Sequence, residues 1–362
     1  VQIGTQLKRE LAFLVTVRSI RDQAQQRPSY ASHRPGAFPV RVTPHFAPET
    51  PWTNELMRND GTPEPLAVTI GNFDGVHRGH QVLLARACKA AAELGLTPAA
   101  LTFEPHPATV FRGVDPSTYR ITTSGERAAL LQRFGMKHVF TRPFDRSFGL
   151  LTAEQFVEEF LLQTLGAKHI TVGFDFSFGA GRSGRAADLV RMARQFGFGV
   201  EIVELQRIGP DPASSTRVRE LLRAGDLEGV NEMLGHCWTL TGHTAHGAGR
   251  GQKIGIPTVN LYPENRLLPP FGVYATRIRV AGKCWDAISN LGVRPTFETS
   301  TRVSLETMIL SPVEEDLHDL PAEVEVIGFV RPEMRFDDAE SLKKQIGKDI
   351  EATQLLLSSR PT

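Results

Sequence analysis

One stretch limits what this chain can become more than any other: Thr69-Ile70-Gly71-Asn72-Phe73-Asp74-Gly75-Val76-His77-Arg78-Gly79-His80. The apolar run Leu66–Ile70 before it reads as a buried strand, and Gln81–Ala87 after it opens a helix. A glycine-rich turn from strand to helix gathers backbone N–H groups at a helix N-terminus, where phosphate binds well. Gly79 has no side chain and lets a nucleotide lie close against the backbone. His77 and His80 sit in the same turn, where imidazoles donate hydrogen bonds to phosphate oxygens as charge builds in a transition state. A bare pair of histidines at this spacing is more often a surface turn or a metal pair than a nucleotide site. The full string placed after a strand is much more restrictive, and it points to nucleotide binding.

The rest of the first half fits that turn. Strands at Leu66–Ile70, Pro98–Phe103, His138–Thr141, His169–Val172 and Gly199–Leu205 alternate with helices at Gln81–Leu94, Ser124–Phe134, Thr152–Leu165 and Ala186–Phe196. Gly95 and Gly135 follow two of these helices as caps, and Thr152 with Gln155 forms a capping box. Such alternation implies a parallel sheet with helices on both faces, and ligands then bind at the carboxyl ends of the strands. After Gly225–His236 the character changes. Trp238–Gly242, Val273–Val280, Trp285–Leu291, Ser304–Ile309 and Glu323–Val330 are short β-rich runs without helices between them, the pattern of a small antiparallel barrel. Asp338–Leu357 closes the chain as an amphipathic helix with Leu342, Ile346, Ile350 and Leu355 near one face.

Bulk properties set the outer limits. A chain of 362 residues is long enough for two domains. Its net charge of +1 gives no argument for nucleic acid or an anionic membrane as partner. Hydrophobic content of 41% with 22% charged residues describes a globular protein, and no apolar run reaches the roughly 18 residues of a membrane span. The 3 cysteines, Cys88, Cys237 and Cys284, are too scattered for a disulfide framework or a paired-cysteine metal site, so the cytoplasm is the default compartment. Residues 1–62 are crowded with polar and turn-forming side chains and read as a poorly ordered extension.

Three further motifs follow strands of the first half. Thr102-Phe103-Glu104-Pro105-His106-Pro107 fixes a loop with two prolines and presents Glu104 or His106. Val172 to Gly184 carries glycines, three phenylalanines alternating with Asp175 and Ser177, and Arg182. Ser214-Ser215-Thr216-Arg217-Val218-Arg219 opens a helix with hydroxyls and two arginines within its first turn or so. In the second half, the stretch Gly242 to Asn260 is glycine-rich and ends Pro257-Thr258-Val259-Asn260, without the Gly-Lys-Ser/Thr ending of a Walker loop.

The histidine turn resembles the signature of the HxGH nucleotidyltransferases. Taken in order with the other motifs, it is similar to the prokaryotic bifunctional riboflavin kinase/FMN adenylyltransferase (FAD synthetase) family from about Leu66 to Leu357. The resemblance implies an α/β Rossmann-like nucleotidyltransferase domain over residues 63–230, then a riboflavin kinase-like antiparallel β-barrel with a terminal helix over residues 231–358. It implies two ATP-dependent reactions, riboflavin to FMN and FMN to FAD, with Mg²⁺ as cofactor. In the first domain it carries over His77, His80 and Arg219 as catalytic groups. Gly71, Phe73, Asp74, Gly79, Asp175, Ser215 and Thr216 become nucleotide-binding positions. In the second it carries over Gly247, Gly249, Gly255 and Asn260 at the nucleotide, Thr258 at the metal, and Glu306 as general base. The chain departs from the family in two places. Met308 stands where the family usually has His, and Asp316-Leu317-His318-Asp319 stands where it has Asp-Leu-Tyr-Gly. These departures motivate a second expectation, an adenylyltransferase whose kinase half has become a flavin-binding regulatory module.

Overall fold

The computed structural model describes residues 64–245, 258–264, 266–295, 301–313 and 315–358. The extension over residues 1–62 and the loop glycines Gly247, Gly249 and Gly255 lie outside them.

The first half is built on five parallel strands: β1 (Leu66–Ile70), β2 (Thr97–Glu104), β3 (His138–Pro143), β4 (Ala167–Gly173) and β5 (Gly199–Val203). Their order across the sheet is β3-β2-β1-β4-β5. Chain order therefore reverses direction at β1, and the crevice between the carboxyl ends of β1 and β4 is the switch point of a doubly wound sheet. Side chains alternate along each strand. Leu66, Val68 and Ile70 face a core with Phe140, Phe156, Leu161 and Leu189, while Ala100 and Val139 face another with Phe73, Leu84 and Leu131. Both faces are covered, which is why β1 is apolar or small throughout and fully buried.

The helices expected at Gln81–Leu94, Ser124–Phe134 and Ala186–Phe196 form close to those bounds, and others join them. They are α1 (Arg78–Leu94), α2 (Pro107–Arg112), α3 (Ser124–Arg133), α4 (Ala153–Gln155), α5 (Ala186–Phe196), α6 (Ser215–Ala224) and α7 (Leu227–Leu234). Gly95 ends α1 at φ 65, the left-handed conformation that costs glycine least. The expected capping box holds: Gln155 N donates to Thr152 Oγ1 at 3.1 Å, and Thr152 N to Gln155 Oε1 at 3.0 Å. Beyond that cap the backbone departs from the α-helix read over Thr152–Leu165. Phe156–Thr164 is a π-helix, with Leu165 N reaching back to Phe160 O. The short helix α2 replaces an expected loop because Pro107 sits at its first turn, where a missing N–H costs nothing.

The second half is a six-stranded antiparallel sheet curled toward closure: β6 (Trp238–His243), β7 (Thr258–Leu261), β8 (Gly272–Val280), β9 (Lys283–Pro295), β10 (Thr301–Ile309) and β11 (Pro321–Pro332). The order is β6-β11-β8-β9-β10-β7. An isolated bridge between Ala245 and Asn260 brings the two edges together. Strand β7 falls in a stretch whose glycine content reads as loop. The terminal helix α8 (Ala339–Ser358) buries Leu342, Asp349, Thr353 and Leu357. Leu355, expected on that face, is 73% exposed. At about 100° per residue it lies roughly 220° round the helix from Leu342.

The two halves share apolar and polar contacts. Val218, Leu222, Val230 and Leu234 of α6 and α7 belong to one core with Trp238, Leu291 and Val326 of the barrel. Trp238 Nε1 donates to Ile121 O at 3.3 Å. Glu126 caps α3 through one oxygen and with the other accepts from Arg266 Nη2 at 2.6 Å and from Thr241 N and Oγ1 at 3.0 and 2.8 Å.

Candidate functional sites at the sheet switch point and on the barrel wall

The turn after β1 is strained. Phe73 and Val76 take φ 49 and φ 41, left-handed values that non-glycine residues rarely adopt, with Gly75 at φ 83 between them. A β-branched residue there costs on the order of 1–2 kcal/mol. The strain aims His77 so that it caps α1, with Nδ1 accepting from His80 N at 3.3 Å. A neutral His77 therefore carries its proton on Nε2, as a donor. The two imidazoles stack with centroids 3.6 Å apart, and Phe73 meets His80 edge-on at 5.1 Å.

Burial keeps both rings neutral. It brings His77 down to about 4, the neighbouring Arg219 adding to the effect and Asp74 opposing it. His80 lies well below the ordinary histidine value through burial, His77 and Arg219, and its Nδ1 is buried without a hydrogen-bond partner among the described residues.

Helix α6 arrives from the other side. Ser214 is its N-cap, accepting from Arg217 N at 3.2 Å, while Ser215 Oγ donates to Asp74 O at 2.8 Å. Arg217 turns outward to Asp211 and Glu220. Arg219 turns inward, 5% exposed, with its guanidinium carbon 3.7 Å from the centre of the Tyr119 ring.

These elements enclose a cavity of about 960 Å³ at the switch point, lined among others by Gly71, His77, Gly79, His80, Asp175, Ser215, Thr216 and Arg219. Two expected nucleotide positions are not on that lining. Phe73 is wholly buried behind His80, and Asp74 is 2% exposed beneath the turn. The close approach at Gly79 is also of another kind. A Cβ there would meet Ala213 O at 3.1 Å and the His77 ring at 3.2 Å, so protein backbone as well as ligand needs the space. The pair left open in the proline loop is resolved. Glu104 is tied to Arg120 and to Arg127, at 2.9 Å for the latter. His106 lines the cavity, its Nδ1 capping α2 at 3.0 Å and its pKa brought down to about 4 by burial. Tyr119 also lines it, and no motif marks that residue in the sequence. Of the three alternating phenylalanines, Phe176 and Phe178 stack on each other at 5.4 Å, whereas Phe174 is 45% exposed at the cavity.

On the barrel, strand register assembles a second group. Asn260 of β7 lies opposite Glu306 of β10, and Glu306 opposite Asn290 of β9. Directly paired residues share a face, so these three stand in one row, with Thr258 opposite Met308 two positions along. Asn260 is wholly buried, and neither its amide oxygen nor its nitrogen has a partner among the described residues. Unpaired buried amides are costly, and one in this row suits a bound ligand. Among the described residues no cluster of three His, Cys, Asp or Glu could hold a metal. The donors on offer are a hydroxyl and an amide, the sparse oxygen set of Mg²⁺, an ion that keeps waters and phosphate oxygens as its other ligands. The departure at Asp319 leaves its turn standing. Asp319 adopts φ 57, where glycine is favoured, and its N–H donates to Thr244 O at 2.9 Å.

A doubly wound sheet with this turn at its switch point, joined to a curled antiparallel barrel, defines a nucleotide-handling transferase with two separate sites. Residues 60–217 match the family model described as FAD synthetase, and residues 234–357 the one described as riboflavin kinase. The bifunctional riboflavin kinase/FMN adenylyltransferase of Listeria monocytogenes is 34% identical over 288 residues, 79% of this chain and 91% of that protein. The protein of the same name from Escherichia coli K12 is 35% identical over 287 residues, again 79% and 91%. A crystal structure titled as a macrolide-efflux protein from Streptococcus pneumoniae superposes with a TM-score of 0.72 at 30% identity, covering 81% of this chain and 95% of that one. Among the described residues here, no helix is long and apolar enough to cross a membrane. The chain belongs to the bifunctional riboflavin kinase/FMN adenylyltransferase family.

Proposed function

We propose that the chain converts riboflavin to FAD in two ATP-dependent steps at two sites, with residues 231–358 as kinase domain and residues 63–230 as adenylyltransferase domain, working in the cytoplasm. In the kinase, Glu306 accepts the proton of the flavin 5′-hydroxyl as its oxygen bonds to the γ-phosphorus of ATP, and ADP leaves. Thr258 and Asn260 would hold Mg²⁺ and the nucleotide phosphates, and the bound ion would neutralise charge on those phosphates. In the adenylyltransferase, an oxygen of the FMN phosphate attacks the α-phosphorus of a second ATP, and pyrophosphate leaves. The nucleophile is already anionic, so no general base is required. The work is alignment and stabilisation of charge on the transferring and departing phosphates. His77 and His80 supply neutral donors, Ser215 and Thr216 the start of α6, and Arg219 a fixed positive charge. Asp175, on the loop after β4, borders the same space.

The observation that carries this reading is the convergence of two neutral imidazoles, His77 buried and His80 half-buried, and Arg219 on one cavity at the sheet switch point. Its test is incubation with ATP, Mg²⁺ and either riboflavin or FMN, followed by chromatography of the flavins. FAD from both substrates supports the reading. FAD from FMN alone marks the kinase half as impaired, the regulatory alternative raised by Met308 and His318. No flavin product from either substrate overturns the enzyme assignment.

A further inference from the structure

Beneath the cavity lies a carboxylate that does not line it. Asp74, 2% exposed, is engaged on every side. Oδ1 accepts from Ile121 N at 3.0 Å, from Thr122 N at 3.0 Å and from Thr122 Oγ1 at 3.2 Å. Oδ2 accepts from Arg219 Nη2 at 2.6 Å and from Ile121 N at 3.2 Å, while the Asp74 carbonyl accepts from Ser215 Oγ at 2.8 Å. One residue of the histidine turn thus grips both the segment around Tyr119–Thr122 and the first turns of α6.

Arg219 is held at two of its nitrogens. Nη2 is on Asp74, and Nε donates to Tyr119 O at 2.7 Å, with the guanidinium carbon over the Tyr119 ring. A guanidinium is a rigid fork, so fixing two nitrogens fixes the third. Nη1 makes neither of these bonds, and Arg219 borders the cavity.

We propose that Asp74 is a positioning residue for adenylyl transfer: it binds no nucleotide and acts through Arg219, orienting the guanidinium toward the phosphates before substrate arrives. This rests on the reading of the cavity as the adenylyl-transfer site. It also explains a carboxylate so close to a site for polyanions. Its charge is spent on Arg219 and on backbone N–H groups, so little of it faces the cavity.

The chain's second activity serves as a folding control. Asp74→Asn keeps the shape and one acceptor oxygen but removes the charge that holds Arg219. Expected is a fall in adenylylation kcat of roughly 10–100-fold, the scale of a lost charge-assisted hydrogen bond, with KM for ATP and FMN little changed and riboflavin phosphorylation at the parental rate. A double-mutant cycle isolates the route of action. Combined with Arg219→Ala, Asp74→Asn should add almost nothing to the loss caused by Arg219→Ala alone. Effects that multiply overturn the proposal, as does parental adenylylation by Asp74→Asn while Arg219→Ala is impaired. In that last case the reading of the cavity survives. If Arg219→Ala is itself parental, the assignment of Arg219 falls and the proposal with it. Should Asp74→Asn not fold, Arg219→Lys replaces it, keeping the charge without the fork. Adenylylation close to that of Arg219→Ala supports the proposal, and parental activity overturns it.

Discussion

The two sites are built in opposite ways. At the switch point of the parallel sheet, protein groups hold one another: His77 is fixed by the His80 backbone, Arg219 by Asp74 and Tyr119, and Glu104 by two arginines. On the barrel wall, Asn260 is buried with an amide that nothing in the described protein satisfies. Apart from His80 Nδ1, the first arrangement is organised before any ligand arrives, whereas on the proposed function the second keeps hydrogen-bonding capacity for what binds. Preorganised donors gain most where charge develops in the transition state, and a donor set completed by the nucleotide gains most where a phosphate and its ion must be captured.

The sharpest way to break this comparison is to remove one site and watch the other. His77→Ala/His80→Ala should lower FAD formation from FMN by about a thousandfold or more, since single preorganised donors are worth roughly 10²–10³. Riboflavin phosphorylation in the same sample should stay at the parental rate. Glu306→Gln should do the reverse, lowering FMN formation by roughly 10²–10⁴ while adenylylation of supplied FMN is unchanged. Loss of both activities in either variant would show that the sites are not independent.

A third change probes what joins them. Arg266→Ala leaves Glu126 buried without its cation, at a cost of about 3–5 kcal/mol. Thermal unfolding should shift downward, and both activities should fail together as temperature rises. A variant whose activities fail at separate temperatures would mean that the halves do not share a cooperative unit.

Acidity tests the preorganised site at lower amplitude. The folded value of about 4 for His77 lies below the ordinary histidine value of 6.5. Protonation in the unfolded chain therefore opposes folding as pH falls: stability is complete above about 6.5 and is lost progressively toward about 4. The pH profile of adenylylation should show no limb from His77 between about pH 5.5 and 8, and an inflection near 6.5 would contradict its buried, neutral state. The smallest effect is expected at Asp319. Asp319→Gly relieves a left-handed residue at φ 57 and should raise the melting temperature by the equivalent of up to about 1 kcal/mol, with kinase turnover unchanged.

Much of this is legible in the residues. Both-face burial makes β1 a continuous apolar run, so the strand and the turn after it stand out. The hydroxyl-bearing start of α6 is equally visible, because caps are local chemistry. Asp74 is harder to place: it sits in the motif, yet its partners are Ile121, Thr122 and Arg219, far along the chain. Tyr119 is hidden for the same reason, since only tertiary packing brings it over Arg219. Strand β7 is masked by its glycine-rich approach. Its strand character comes from pairing with β10, which no local window contains. Leu355 misleads because it is apolar and nearly at the right spacing, yet it falls off the buried face.

The row Asn260–Glu306–Asn290 depends on parity. Consecutive residues of a strand point to opposite sides, so inserting or deleting one residue within β10 ahead of Glu306, between Thr301 and Leu305, would shift the parity of Glu306 relative to Asn290 and bring Leu305 or Thr307 toward its place. The kinase half can thus be silenced by an indel that alters no catalytic residue, and a second compensating indel on the same strand would restore it.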